Sequence, residues 1–115
     1  MTERPWRPIV TKRAEQDFFE IIAWTTEHFG RSQADIYNNV IRFSVQALEG
    51  GPTIHGVKPR DDIRPGLMSL HVAREGRRGR HYLVFRVKSH SERMIEVLRI
   101  LHDQMDLAHH IPPTE

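Results

Sequence analysis

The chain of 115 residues contains no cysteine, and no apolar run approaches the roughly 20 residues that a membrane-spanning helix requires. The absence of cysteine excludes a disulfide scaffold and a thiolate metal site, and it favours a reducing cytoplasm as the compartment. The lack of a long apolar run excludes a membrane-spanning protein. Residues 1–8 are polar and interrupted by prolines, so we expect no signal peptide there.

Several chemistry-bearing motifs are also missing. The chain has no phosphate-binding loop, no dinucleotide-binding fingerprint, no nucleophile elbow and no recognised zinc spacing. It does contain eight histidines, and His102, His109 and His110 lie close to Asp106 in the sequence. These four are conceivable metal ligands, but such a group near a terminus is more often plain surface. We therefore expect no metal and no cofactor.

Net charge is small, but its distribution is uneven. The chain carries +2 in total, yet residues 56–101 hold 11 basic against 5 acidic side chains, and residues 1–55 hold 6 against 7. A basic half predicts an anionic partner, which is either a nucleic acid, a nucleic-acid-bound machine or an acidic peptide. A solvated basic surface without a partner is the alternative.

Apolar residues recur at spacings of three and four over two segments, which predicts two helices. Thr11 is the expected N-cap of the first helix, which ends at Gly30. Ser32 and Asp35 are the expected capping pair of the second, which continues to Gly50. Because only a few residues separate the two helices, we expect an antiparallel hairpin. Three aromatic residues of these helices are expected in the core: Trp24, Tyr37 and Phe43.

Alternation of apolar and polar residues predicts the strands. They are expected at residues 6–10, 68–73, 82–87 and 94–101. The first is interrupted by proline and suits a sheet edge, whereas short turns join the others into an antiparallel meander. We predict one α+β domain over residues 1–115, with the helical hairpin on one face of an antiparallel sheet and residues 102–115 as a C-terminal tail.

The last predicted strand carries Arg99 in the middle of an apolar run. A guanidinium in such a run costs several kcal/mol unless it is paired or reaches a groove. In one interpretation, Arg99 joins Arg86 and Lys88 on an open, basic face of the sheet that binds carboxylate or phosphate. In the other, it forms a structural ion pair with one of three acidic residues of its own segment: Glu96, Asp103 or Asp106.

The residues that follow this strand suggest chemistry. His102 is a conceivable general acid, with Asp103 or Asp106 as the carboxylate that orients it. Polar residues at a strand end are more often simple turn residues. The candidate residues for binding a partner are Arg64, Arg86, Lys88, Arg99 and His102, and the candidates for catalysis are Arg99 and His102.

Five parts of the chain carry a family resemblance. They are TKRAEQDF at residues 11–18, the helix end HFG at 28–30, DIRPGL at 62–67, YLVFRV at 82–87, and IEVLRILH at 95–102 with MDL at 105–107. Together they make the chain similar to the ParE-like toxins of bacterial type II toxin–antitoxin systems, within the RelE/ParE superfamily. The resemblance covers nearly the whole chain, and the last segment is its most specific part.

The resemblance implies an N-terminal strand, a helical hairpin and a curved antiparallel sheet. It also implies a hetero-oligomer with a cognate antitoxin, whose acidic amphipathic C-terminal segment wraps over the toxin, and a role in plasmid stabilization. ParE-like members act on DNA gyrase, trap a cleaved-DNA state and block replication, whereas RelE-like members cut mRNA on the ribosome. An inactive toxin-like binding module is a further alternative.

The two activities require different residues. Cleavage of mRNA by attack of the 2′-hydroxyl needs a base, an acid and cations that stabilise the phosphorane. The chain offers Arg99 and His102, but it lacks a carboxylate base on the preceding strand. Tyr82 stands where ribonuclease relatives tend to carry a basic residue. The resemblance therefore favours a gyrase poison without chemistry of its own. The basic turn at residues 74–80 either contacts DNA in that complex or is a solvated hairpin.

Overall fold

The computed structural model describes residues 4–111 as two helices packed on a five-stranded sheet. In chain order the elements are β1 (Arg7–Val10), α1 (Lys12–Phe29), α2 (Arg31–Ala47), a 3₁₀ turn (Leu48–Gly50), β2 (Lys58–Pro59), β3 (Met68–His71), β4 (His81–Ser89), β5 (Met94–His102) and α3 (Leu107–His110). Over this described range, neither long helix has the combination of length and apolar character needed to cross a membrane.

The helical hairpin forms as its spacing predicts. Thr11 caps α1, since its Oγ1 accepts a hydrogen bond from the Ala14 amide at 3.1 Å. Gly30, with φ of +90°, ends α1 and is also the residue before α2, so a single glycine joins the two helices. The predicted capping pair of α2 is wrong, because the helix begins at Arg31 and no side chain caps it.

The sheet has the order β1-β5-β4-β3-β2. The α+β class and the N-terminal strand are confirmed, and β3, β4 and β5 form the predicted antiparallel meander. The sheet as a whole is mixed rather than antiparallel, because β1 pairs with β5 in parallel, Arg7 opposite Met94. Alternation within a four-residue strand shows which face is buried but not which strand lies beside it.

Apolar side chains cover both faces of this sheet. One cluster lies between the helices and the sheet and includes Leu83, Phe85 and Val97. A second cluster lies on the opposite face, where it consists of Leu67, Val84, Leu101, Leu107 and Ile111. The sheet therefore does not have a fully open basic face, because an apolar cluster covers part of its second face. The chain turns back after β5, and α3 brings Leu107 and Ile111 onto the second face.

Among the three helical aromatics, only Trp24 contradicts the expected core position outright. Its side chain is 54% exposed and stacks on His28, with ring centroids 4.1 Å apart. Tyr37 and Phe43 are half-buried. Tyr37 packs against the main core, whereas Phe43 faces the turn between β3 and β4.

An irregularity in β5 positions the candidate site. Val84 pairs with Arg99, but the next residue of β4, Phe85, pairs with Val97, so Leu98 is an extra residue in β5. A bulge of this kind bends the strand and turns a side chain away from the regular alternation. Arg99 lies in the part of β5 beyond the residues that pair with β1, where Asp17 of α1 accepts the Ile100 amide.

Candidate functional site

Arg99 is held by a buried carboxylate from the first half of the chain. Its Nε and Nη2 donate to the two carboxylate oxygens of Asp17 at 2.8 and 3.1 Å, and its Nη1 donates to the carbonyl of His110 at 3.0 Å. Asp17 is only 5% exposed and also accepts the Ile100 amide at 2.9 Å. Arg99 thus joins β5 to α1 and to α3 through charge-assisted hydrogen bonds.

Arg99 therefore does form a structural ion pair, but its partner is Asp17 rather than an acidic residue of its own segment. The acidic residues suggested from its own segment, Glu96, Asp103 and Asp106, are engaged elsewhere. Asp17 was not predicted from the sequence, although it lies on the apolar stripe of α1 between Ala14 and Ile21. A lone carboxylate on a buried stripe was the available signal, since it requires a partner.

Beside this ion pair, a cleft of about 420 Å³ opens between the start of α1, strands β4 and β5, and α3. We call it the arginine cleft. Its charged lining consists of Arg13, Arg64, Arg86, Arg99 and Glu96, and His110 closes one side. Three of the five predicted binding residues, Arg64, Arg86 and Arg99, meet here.

Positive charge exceeds negative charge in the arginine cleft. Arg86 contacts Glu96 at 2.9 Å, and Lys88, which is 53% exposed, lies 3.7 Å from the same carboxylate. Arg13 lies 3.4 Å from Asp17, which already holds Arg99. Among the described residues that line the cleft, four are arginines and one is a glutamate, and planar guanidinium groups bind carboxylate or phosphate in two-point contacts. The lining is therefore predominantly cationic.

His102, the fifth predicted residue, lies elsewhere, in a polar cluster where β4 begins and β5 ends. We call this the histidine cluster: Tyr37, His71, Arg80, His81, His102 and Asp103. His102 is the strand partner of His81, and their ring centroids are 5.2 Å apart. Asp103, proposed as the carboxylate that orients His102, is held instead by Arg80 at 3.1 Å and His71 at 3.0 Å. Its distance to His102 Nδ1 is 3.6 Å.

Charge and burial shift several pKa values in the histidine cluster. The hydrogen bond from Arg80, followed by that from His71, lowers the pKa of Asp103 to about 2. Burial, assisted by nearby His102, lowers the pKa of His81 to about 4, whereas burial raises the pKa of Tyr37. The backbone amide of Arg80 donates to the Tyr37 oxygen at 3.0 Å. The Tyr37 hydroxyl and His81 Nδ1 share a hydrogen bond of 2.6 Å, in which the tautomer of His81 sets the donor.

These shifts predict an acid-sensitive fold. Between the ordinary pKa of histidine near 6.5 and about 4, the unfolded chain binds a proton at His81 that the folded chain does not, so stability falls as pH falls through this window. Protonation of Asp103 lowers the stability of the fold further below its ordinary pKa of 3.8. We expect His81→Gln to flatten the profile between pH 6.5 and 4 in denaturant titrations. His109→Gln, at an 82% exposed side chain, is the control and should keep the wild-type slope. If stability depended on pH with the same slope in both variants, His81 would not be the residue that makes the fold acid-sensitive.

The other residues suggested as metal ligands are not assembled into a site. Asp106 caps α3 by accepting the Ala108 amide, and His109 lies 3.1 Å from the same side chain. Across residues 4–111, no three His, Cys, Asp or Glu side chains are arranged to hold a metal ion.

The fold and the cleft define a small α+β protein with a cationic surface, and comparison with known proteins gives its class. The structure resembles that of the chromosomal ParDE toxin–antitoxin system from P. aeruginosa, with a TM-score of 0.70 and 23% identity over 87% of this chain and 98% of that one. It also resembles the toxin–antitoxin complex RelBE2 from Mycobacterium tuberculosis, with a TM-score of 0.56 and 22% identity over 85% of this chain and 98% of that one. At these identities the likeness establishes the shared fold.

Sequence comparison identifies the family. The family model for the ParE toxin of the type II toxin–antitoxin system parDE matches residues 9–107. Toxin ParE1 of Mycobacterium tuberculosis is 30% identical over 101 residues, which cover 88% of this chain and 93% of that protein. The chain therefore belongs to the ParE toxin family, and it is a toxin of a type II toxin–antitoxin system.

Proposed function

We propose that this toxin inhibits DNA gyrase by binding, without covalent chemistry of its own, and so blocks replication in the cytoplasm. The observation that supports this most is the state of Arg99. A nuclease mechanism would need its guanidinium to stabilise the phosphorane charge. That guanidinium is instead tied to Asp17 by two hydrogen bonds and to the His110 carbonyl by a third.

The second residue of the nuclease hypothesis, His102, is too far away to act with Arg99. Three residues along a strand correspond to about 10 Å. The two side chains also face different neighbours, since Arg99 lines the arginine cleft and His102 packs edge-on against His81. The pair does not form one site, which favours inhibition by contact.

The partner that would neutralise the toxin is a cognate antitoxin with an acidic segment, and we propose that this segment enters the arginine cleft. The ParDE and RelBE2 structures contain related toxin–antitoxin systems, which supports such a hetero-oligomer. Among the described residues, Arg64 and Arg86 line the cleft beside Glu96, and Lys88 lies 3.7 Å from the same carboxylate. Aspartate or glutamate side chains of an acidic segment would form two-point contacts with such guanidinium groups.

A supercoiling assay tests the proposal. Purified toxin at micromolar concentration is added to gyrase and relaxed plasmid, with and without an equimolar amount of the antitoxin encoded next to it. We expect loss of supercoiling with toxin alone and recovery with antitoxin. Unchanged supercoiling at every toxin concentration would contradict the proposal. In that case, induction in the native host without a growth defect would favour an inactive toxin-like binding module.

A second candidate, ribosome-dependent mRNA cleavage, is favoured by one observation. The histidine cluster brings His71 and His102, both partly exposed, to the same end of the sheet as Tyr37 and Arg80. These groups can supply an acid, a base and a cation. Primer extension on cellular mRNA after induction distinguishes the candidates. Codon-phased cuts that disappear in His102→Ala would favour cleavage, whereas intact transcripts with arrested growth would favour gyrase inhibition.

A further inference from the structure

The last turn of α1 carries a cluster of aromatic rings that hold one another in place. Trp24 stacks on His28 with ring centroids 4.1 Å apart, and Phe29 contacts Trp24 edge-on at 5.8 Å. His28 Nδ1 also donates to the Trp24 carbonyl at 2.9 Å, which keeps the imidazole against the indole. We call these three residues the aromatic tip. Because its rings are already ordered, a partner that binds them loses little side-chain entropy.

The aromatic tip is open to solvent although its rings are large and apolar. The side chain of Trp24 is 54% exposed, and that of Phe29 is 63% exposed. Large apolar side chains that are exposed together mark interaction sites, and tryptophan is among the residues that contribute most to binding energy at protein interfaces. None of the three residues lines the arginine cleft. The tip is therefore a second candidate surface for a partner.

Carboxylates flank the aromatic tip. Glu20 and Glu27 stand four residues before and three residues after Trp24, so all three share one side of α1, and both glutamates are exposed. Residues 18–36 hold three acidic side chains against one arginine. An exposed indole beside two carboxylates suits a guanidinium or ammonium group, which can lie on the ring and pair with a carboxylate. The tip therefore fits a basic segment of a protein.

The charge of this surface disfavours the anionic occupants. Phosphates of nucleic acid and carboxylates of an acidic antitoxin segment would be repelled by Glu20 and Glu27. The arginine cleft has the opposite character, since its charged lining consists of four arginines and one glutamate. The toxin thus presents two surfaces of opposite charge, and an acidic segment is complementary only to the cleft.

We propose that the aromatic tip is the surface through which the toxin holds its target protein, by binding an arginine- or lysine-bearing apolar segment of it. This inference rests on the proposed function, in which the target is gyrase. Inhibition and neutralisation then use separate surfaces. Substitutions in the tip should consequently reduce inhibition of gyrase without reducing affinity for the antitoxin.

Two variants of the tip test the inference. Trp24→Ala removes the indole, and the double variant Glu20→Lys with Glu27→Lys reverses the flanking charge. The toxin concentration that halves gyrase supercoiling is measured for each purified full-length variant. We expect this concentration to rise roughly tenfold or more for both, since each variant removes one half of the complementarity to a basic segment.

Matched controls leave the tip intact. Phe19→Ala removes another exposed aromatic ring of α1, and Phe19 lies about 140° around the helix from Trp24. Glu49→Lys with Glu92→Lys changes the net charge as much as the double tip variant, at two exposed positions outside α1. Both controls should inhibit gyrase within about twofold of wild type.

Antitoxin affinity, measured by calorimetry, and thermal melting by circular dichroism show whether a tip variant is folded; both should match wild type. If wild-type toxin inhibits gyrase and both tip variants inhibit within about twofold of it, the inference is wrong and the proposed function stands. Loss of antitoxin affinity in a tip variant that melts like wild type would also overturn the inference, because the tip would then serve the antitoxin. Wild-type toxin that leaves supercoiling intact would contradict the proposed function, and the inference with it.

Discussion

Replacement of Asp17 by alanine is expected to lower the free energy of unfolding by about 3–5 kcal/mol, the range for breaking a buried ion pair from one side. The substitution leaves the guanidinium of Arg99, whose side chain is 14% exposed, without its carboxylate. It also removes the acceptor of the Ile100 amide, at the point where α1 closes the edge of β5. Since whole domains are stable by only 5–15 kcal/mol, the variant should melt at a much lower temperature.

Urea titration followed by circular dichroism measures this loss. Asp35→Ala is the matched control, because it removes an exposed aspartate from α2 and should cost less than about 0.5 kcal/mol. Arg99→Ala should be similarly costly, and the double variant should cost less than the sum of the two single losses. A loss below about 1 kcal/mol for Asp17→Ala would show that the ion pair is not the connection between α1 and β5.

The double charge reversal Arg64→Glu with Lys88→Glu is expected to weaken antitoxin binding by roughly thirtyfold, if each reversal costs about 1 kcal/mol. Arg64 lines the cleft and Lys88 contacts its lining residue Glu96, so the double reversal replaces two cations with carboxylates that repel an acidic segment. The effect should shrink as salt is added, because the contacts are screened at the surface.

The control for this variant is Lys58→Glu with Arg31→Glu, which changes the net charge equally. Lys58 lies in the edge strand β2 and Arg31 begins α2, and neither lines the cleft. Calorimetry measures the affinity of both double variants for the antitoxin. Equal weakening by the two pairs would mean that overall charge, rather than the arginine cleft, attracts the antitoxin.

The helical hairpin could be predicted from sequence because its signals are local. Thr11 and Gly30 each act on neighbouring backbone groups, and the spacing of apolar residues depends on helix geometry alone. The cover on the second face of the sheet could not be predicted in this way. Leu107 begins a helix of four residues and Ile111 follows its end, and a helix of this length is too short to show a period.

The sequence indicated which residues belong to the candidate site but not which residues they contact, because those contacts are also distant in the sequence. The position of Arg99 in an apolar strand indicated that it needs a partner, but Asp17 lies 82 residues earlier and meets it only through tertiary packing. The extra residue in β5 also moved Arg99 off the face that regular alternation assigns to it. The contact between Tyr37 and His81 joins α2 to β4 and has no local signal in the sequence.

The amount of cleaved plasmid DNA held by gyrase is the most direct measure of whether the toxin disables gyrase by binding. Gyrase, ATP and supercoiled plasmid are incubated with purified toxin, and the reaction is then treated with detergent and protease before electrophoresis. The proposed function predicts linear DNA that increases with toxin concentration and disappears when equimolar antitoxin is added first. Plasmid that stays supercoiled at every toxin concentration, while the same preparation cuts mRNA on ribosomes, would contradict it.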